Sequence, residues 1–203
     1  MLFFTARWQV KGRENIPGQG PLLVVANHLG LVDPPLLAVS LNRKAIFMAK
    51  QELFHSRFSS YFVSGFGAFP VQRGQPDRKA LRHAERVLAE GFALVMFPEA
   101  SRSRNGELQP ALPGSVRIAL RSGATILPAA ITGTEQIKGM GWLLRRPRLT
   151  VNFGVPFQLP PRDGKLSREE LAECTSYMMQ RIAQLLPPEY RGYYADEEGR
   201  NGT

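Results

Sequence analysis

The sequence predicts a single α/β layered domain, a mixed, mostly parallel sheet flanked by helices. Three observations carry that expectation. Unbroken apolar runs at Leu22–Ala26, Ala45–Ala49 and Ala93–Phe97 have the length of strands and no alternation, as strands buried on both faces do. Segments with helical apolar spacing fall between such runs, the alternation of a layered α/β unit. A chain of 203 residues that is 43% hydrophobic has the size for one core.

The elements follow in order. Leu22–Ala26 comes directly after Pro-Gly-Gln-Gly, a turn-forming stretch. Asp33-Pro34 reads as a helix start, with Asp33 as N-cap and proline in the first turn, running to about Leu41. A second helix is expected over Asp77–Glu90, where Ala80, Leu81, Ala84, Val87 and Leu88 form one apolar face and Gly91 supplies the stop. Ser115–Arg121 reads as a short helix closed by Gly123. Ser167–Leu186 opens with the capping box Ser167-x-x-Glu170 and stops before Pro187-Pro188, with Leu171, Cys174, Met178, Ile182 and Leu185 as its buried stripe. Ala68–Val71, Ile126–Ile131 and Arg148–Phe153 are further strand candidates. The domain is expected over residues 1–190, with 191–203, polar throughout, as a disordered tail.

Composition narrows the class of function. The net charge is +9, and it divides into +12 over residues 1–162 and −3 over 163–203. A basic body favours anionic partners. The basic residues are scattered and no recognition motif accompanies them, so a nucleic-acid partner is not expected. A single cysteine, Cys174, excludes an internal disulfide and a multi-cysteine zinc site. No run of 18 apolar residues occurs, and Leu2–Phe4 is too short for a secretory signal. The expected location is cytoplasmic, held peripherally at the cytoplasmic face of a membrane.

Three constellations carry chemistry. Asn27, His28 and Asp33 follow the first strand run, where ligands collect in α/β sheets. A carboxylate five residues after a histidine can fold back to one ring nitrogen and leave the other as a base. The same residues also fit a plain N-cap and a satisfied buried histidine. Phe97-Pro98-Glu99-Ala100-Ser101-Arg102-Ser103 follows the third run and gathers a carboxylate, hydroxyls and a guanidinium suited to phosphate, or else forms a solvated turn. Gly67-Ala68-Phe69-Pro70-Val71-Gln72-Arg73 brings a second arginine to the end of a short strand, which alone would be a solvated cation. The chain holds no His-Glu-x-x-His, P-loop, dinucleotide fingerprint or Gly-x-Ser-x-Gly elbow. His55 and His83 have no carboxylate or metal-ligand partner by spacing.

Together these blocks resemble the glycerophospholipid acyltransferase family. Asn27, His28 and Asp33 match its Asn-His-x4-Asp block. Gly67, Phe69 and Arg73 match its second block, and Phe97, Pro98, Glu99, Arg102 and Ser103 its Phe-Pro-Glu-Gly-Thr-Arg-Ser block. Ile126–Ile131, with Pro128, matches the fourth. Three positions depart: Ala100 stands where the family has Gly, Ser101 where it has Thr, and Pro113 where a basic residue usually precedes Gly114.

The resemblance implies a transfer of a fatty acyl group from acyl-CoA or acyl-carrier protein to the free hydroxyl of a lysophospholipid, 1-acylglycerol-3-phosphate above all. It implies His28 as general base, Asp33 as its orienting partner, and Asn27, Arg73, Glu99, Ser101 and Arg102 as substrate-binding residues. The arginines would hold the acceptor phosphate. No metal and no prosthetic group is implied. The alternatives are an acyltransferase for another acceptor, such as glycerol 3-phosphate or a different lysolipid, and an inactive relative that binds anionic lipid. An anionic membrane surface is an expected partner, with Phe54–Val63 and Gly139–Arg148 (Trp142-Leu143-Leu144 before Arg145 and Arg146) as the segments suited to dock on it.

Overall fold

The computed structural model describes residues 7–55, 60–61, 65, 67–72, 77–137, 139, 141–160 and 166–195. Seven strands form one sheet in the order β1-β7-β6-β2-β5-β3-β4. In chain order they are β1 (Arg7–Lys11), β2 (Leu22–Ala26), β3 (Ala45–Lys50), β4 (Ala68–Val71), β5 (Ala93–Met96), β6 (Thr125–Thr132) and β7 (Arg148–Phe153). Every neighbouring pair is parallel except β6 with β7. The sheet is thus mixed and mostly parallel, as its apolar runs predict.

The helices are α1 (Asp33–Ser40), α2 (Arg78–Ala89), α3 (Gly114–Ser122), the single turn α4 (Trp142–Arg145) and α5 (Arg168–Ala183). They cover both faces of the sheet. Along β2, Leu23 and Val25 pack into the core with α2, α3 and α5, while Leu22, Val24 and Ala26 pack into the core with α1. Side chains alternate across a strand, so a run apolar at every position is what two covered faces require.

The helix ends follow local chemistry. Asp77 caps α2 by accepting from the N–H groups of Lys79 and Ala80, and the capping box of Ser167 and Glu170 closes on the first turn of α5. Gly123 ends α3 at φ 61°. The start of α1 differs from the expectation. Val32 is the N-cap, and Asp33 is the first helical residue. Its carboxylate turns back to the preceding turn instead of capping forward.

Three further differences have physical reasons. Strand β1 was not among the expected strands: it is an edge strand pairing only with β7, and its one signal is a five-residue alternation in which Trp8 and Val10 pack half-buried against the core. Gly139–Arg148 contains one helical turn, α4, too short to show a period. The tail expected to be disordered from 191 is packed as far as it is described: Tyr194 is buried, Tyr193 donates its N–H to the Leu108 carbonyl, and the Tyr194 hydroxyl accepts from the Ala111 N–H. Residues 196–203 lie outside the described residues. No helix among the described residues is long and apolar enough to cross a membrane.

Candidate active site

Strands β2, β5 and β6 run parallel, so their C-terminal ends share one edge of the sheet. The turns that leave those ends carry the chemistry. Asn27 lies just beyond β2, buried, and locks it to β6: its amide nitrogen donates to the Ile131 carbonyl at 2.9 Å and its amide oxygen accepts the Ile131 N–H at 2.7 Å. Both ends of the amide are thus engaged by backbone.

The next residue is His28. Its Nδ1 lies 2.7 Å from Asp33 Oδ2, and the same oxygen accepts the N–H groups of Leu29 at 2.6 Å and Gly30 at 2.7 Å. The other carboxylate oxygen, Oδ1, accepts from the Thr134 hydroxyl at 2.6 Å. Asp33 is wholly buried. A buried carboxylate with four donors has its hydrogen-bonding capacity well met. With a carboxylate oxygen as acceptor opposite it, Nδ1 carries the hydrogen, which leaves Nε2 as the basic nitrogen. The His28 ring stacks on Phe97, with centroids 4.2 Å apart and planes 20° apart.

The turn after β5 supports this unit from the other side. Glu99 is buried, accepts the His28 N–H on Oε1 and the Gln109 N–H on Oε2, both at 2.9 Å. Ser103 donates its N–H to the His28 carbonyl at 2.7 Å. Burial pushes the Glu99 carboxyl up to about 7, against the two backbone donors that favour its charge; the negative Asp33 adds to the rise. Oε1 ties the turn after β2 to the turn after β5, and Oε2 ties Glu99 to Gln109 in the segment that follows.

Ala100 has φ 58°. The turn does need the left-handed conformation that glycine adopts freely, and alanine adopts it here. Ser101 and Arg102 follow on the exposed rim of that turn. Pro113 occupies the N-cap of α3 with no side-chain cap bond. Arg73 lies outside the described residues. The structure thus brings His28, Asp33, Glu99 and the Arg102 turn together. It also adds Gln109 and Thr134, which lie outside the motif blocks, and gives the motif residue Phe97 a place against the His28 ring.

Beside the Phe97–Ala100 turn lies a cavity of about 560 Å³ between the sheet, α2 and α3. Met48, Val71, Leu81, Met96, Phe97 and Ile118 make much of its wall, and Arg78 and Arg117 also line it. Phe97 is common to this cavity and to His28.

The chain resembles known proteins in sequence and in fold. A family model described as acyltransferase matches residues 7–132. The chain is 31% identical over 200 residues to a 1-acyl-sn-glycerol-3-phosphate acyltransferase of Streptococcus pneumoniae, covering 94% of this chain and 72% of that one. It is also 31% identical over 178 residues to the Bacillus subtilis protein of the same name, covering 87% of each. A crystal structure of the 1-acyl-sn-glycerophosphate acyltransferase PlsC from Thermotoga maritima superposes with a TM-score of 0.63 at 28% identity, covering 85% of this chain and 68% of that one. With the family model spanning more than half of the residues, and with relatives matched along most of their length, this chain belongs to the acyltransferase family.

Proposed function

We propose that the enzyme transfers a fatty acyl group from a thioester to the free hydroxyl of 1-acylglycerol-3-phosphate, giving phosphatidic acid. The observation that carries this reading is the His28–Asp33 pair at 2.7 Å, set at the strand edge beside a largely apolar cavity. Relatives named for the same reaction support the choice of acceptor.

His28 Nε2 takes the proton of the acceptor hydroxyl as its oxygen attacks the thioester carbonyl. The oxygen–carbon bond forms, the carbon–sulfur bond breaks, and the proton passes from His28 to the departing thiolate. Asp33 stays ionised and stabilises the imidazolium between the two transfers. The transfer is direct: among the described residues no serine or cysteine side chain is paired with His28. Arg102, and Arg73 with it, bind the acceptor phosphate, where a planar fork is well matched. The cavity takes an acyl chain, each methylene removed from water contributing about 0.8 kcal/mol. Acyl-CoA or acyl-carrier protein is the co-substrate, and neither metal nor prosthetic group takes part.

The acceptor lives in a bilayer, and the same reading puts the enzyme on the cytoplasmic face of an anionic membrane. Leu144 is 92% exposed beside exposed Arg145 and Arg146, and Leu31, in the turn between His28 and Asp33, is 73% exposed. Leucine with arginines suits a headgroup interface. The other candidate segment, Phe54–Val63, falls mostly outside the described residues.

The test is labelled acyl-CoA and acyl-carrier protein, each offered with 1-acylglycerol-3-phosphate, other lysolipids, glycerol 3-phosphate and monoacylglycerol. The expected product is phosphatidic acid, with monoacylglycerol a poor acceptor. Acylation of glycerol 3-phosphate or another lysolipid alone replaces the acceptor, and no transfer to any of them returns the chain to the lipid-binding alternative.

A further inference from the structure

The loop after β6 reaches over the His28–Asp33 turn, and its path is tightly determined. Asn27 fixes the register of β2 against Ile131 near the end of β6. Gly133 then turns at φ 88°, where a Cβ would stand 2.0 Å from the Arg148 carbonyl oxygen, so only glycine fits. The next residue, Thr134, is buried and aims its hydroxyl at Asp33 Oδ1, 2.6 Å away. From the other side, a Cβ on Gly30 would lie 3.2 Å from the Thr134 carbonyl oxygen, so the two turns are in close contact.

The division of donors on Asp33 matters for the chemistry. Oδ2 takes the imidazole and two backbone N–H groups, whereas Oδ1 has, among the described residues, one donor, the Thr134 hydroxyl. With that hydroxyl gone, Oδ1 becomes an unpartnered, buried acceptor on a charged group. The carboxylate then has a reason to rotate or to draw the Nδ1 proton to itself, and either motion misaligns His28. We infer that Thr134 is a positioning residue of this acyltransferase: it acts through Asp33 to hold the orientation and tautomer of His28 and touches no substrate. The inference rests on His28 being the base.

Thr134→Val keeps the side-chain shape and removes the donor; Thr134→Ser keeps the donor and removes a methyl. The expected result for Thr134→Val is a fall in kcat of about tenfold, in the range for losing one hydrogen bond to a charged group, with KM for donor and acceptor unchanged. Thr134→Ser should restore kcat to within about twofold of the parent enzyme. Should the valine variant not fold, Thr134→Ala carries the same comparison with serine. Melting temperatures accompany the kinetics. A folded valine or alanine variant with parental kcat overturns the inference, and so does a serine variant as impaired as valine. His28→Ala is measured alongside. If it retains turnover, the general-base reading fails; if it is inactive while Thr134→Val is normal, only the role of Thr134 fails.

Discussion

Glu99 Oε1 accepts the backbone N–H of His28 at 2.9 Å, so the turn after β5 holds the turn after β2 in place. Its other oxygen holds Gln109, which makes the carboxylate a two-ended brace.

The brace gives the fold a pH dependence. Burial, the largest influence, raises the Glu99 carboxyl from 4.5 to about 7. The folded chain therefore holds this proton more tightly than the unfolded chain. The resulting stability is fully present below the ordinary value of 4.5 and is lost as pH rises toward about 7. Glu99→Gln cannot ionise and should remove that slope. It also sets an amide NH2 against one of two backbone donors, which should lower stability by about 1–3 kcal/mol. Denaturant titrations across this range measure both effects. A glutamine variant with the parental slope contradicts the assignment.

Asn27 should behave as a clamp. Asn27→Leu leaves both backbone groups of Ile131 without partners in a buried site, and stability should fall by on the order of 3 kcal/mol. A substrate contact would instead leave stability alone and raise the acceptor KM. Chemical denaturation beside acceptor kinetics separates the two outcomes.

Ala100 adopts φ 58°, a conformation that costs an L-residue about 1 kcal/mol or more. Ala100→Gly relieves that cost and loosens the unfolded chain, for a net gain of about 0.5 kcal/mol. Ala100→Val adds a β-branch and should be less stable than the parent. Thermal melts should rank glycine, alanine, valine. A valine variant as stable as glycine would contradict the strain.

The proposed membrane surface makes a salt-dependent prediction. Each arginine near an anionic surface adds about 1 kcal/mol of attraction that salt screens. The chain should float with anionic vesicles at low salt and less at high salt. Trp142→Ala combined with Arg145→Glu and Arg146→Glu should reduce binding further. Equal binding to neutral and anionic vesicles, unaffected by salt and by the triple substitution, discards this surface.

Much of this architecture was legible because burial on two faces writes itself as unbroken apolar runs. Leu22–Ala26 and Ala93–Met96 are visible for that reason, and Ser167 with Glu170 marks the start of α5 by its capping chemistry. Edge strand β1 was less legible, because its alternation of Trp8 and Val10 with polar neighbours spans only five residues. At the site, His28 and Asp33 are close in sequence, and a short turn can join them. Glu99 and Thr134 reach the same turn across 71 and 101 residues of sequence, through the pairing of β5 and β6 with β2. Sequence spacing holds no record of such contacts. For the same reason the backbone partners of Asn27 and Glu99, on other strands and turns, were not legible.

The central claim is that His28 is the base. The most direct measurement is the turnover of purified, folded His28→Ala with acyl thioester and 1-acylglycerol-3-phosphate. The account predicts a fall of about 10²–10⁴-fold, the range for losing a general base, with the melting temperature close to that of the parent. A folded His28→Ala enzyme that keeps near-parental turnover would contradict it.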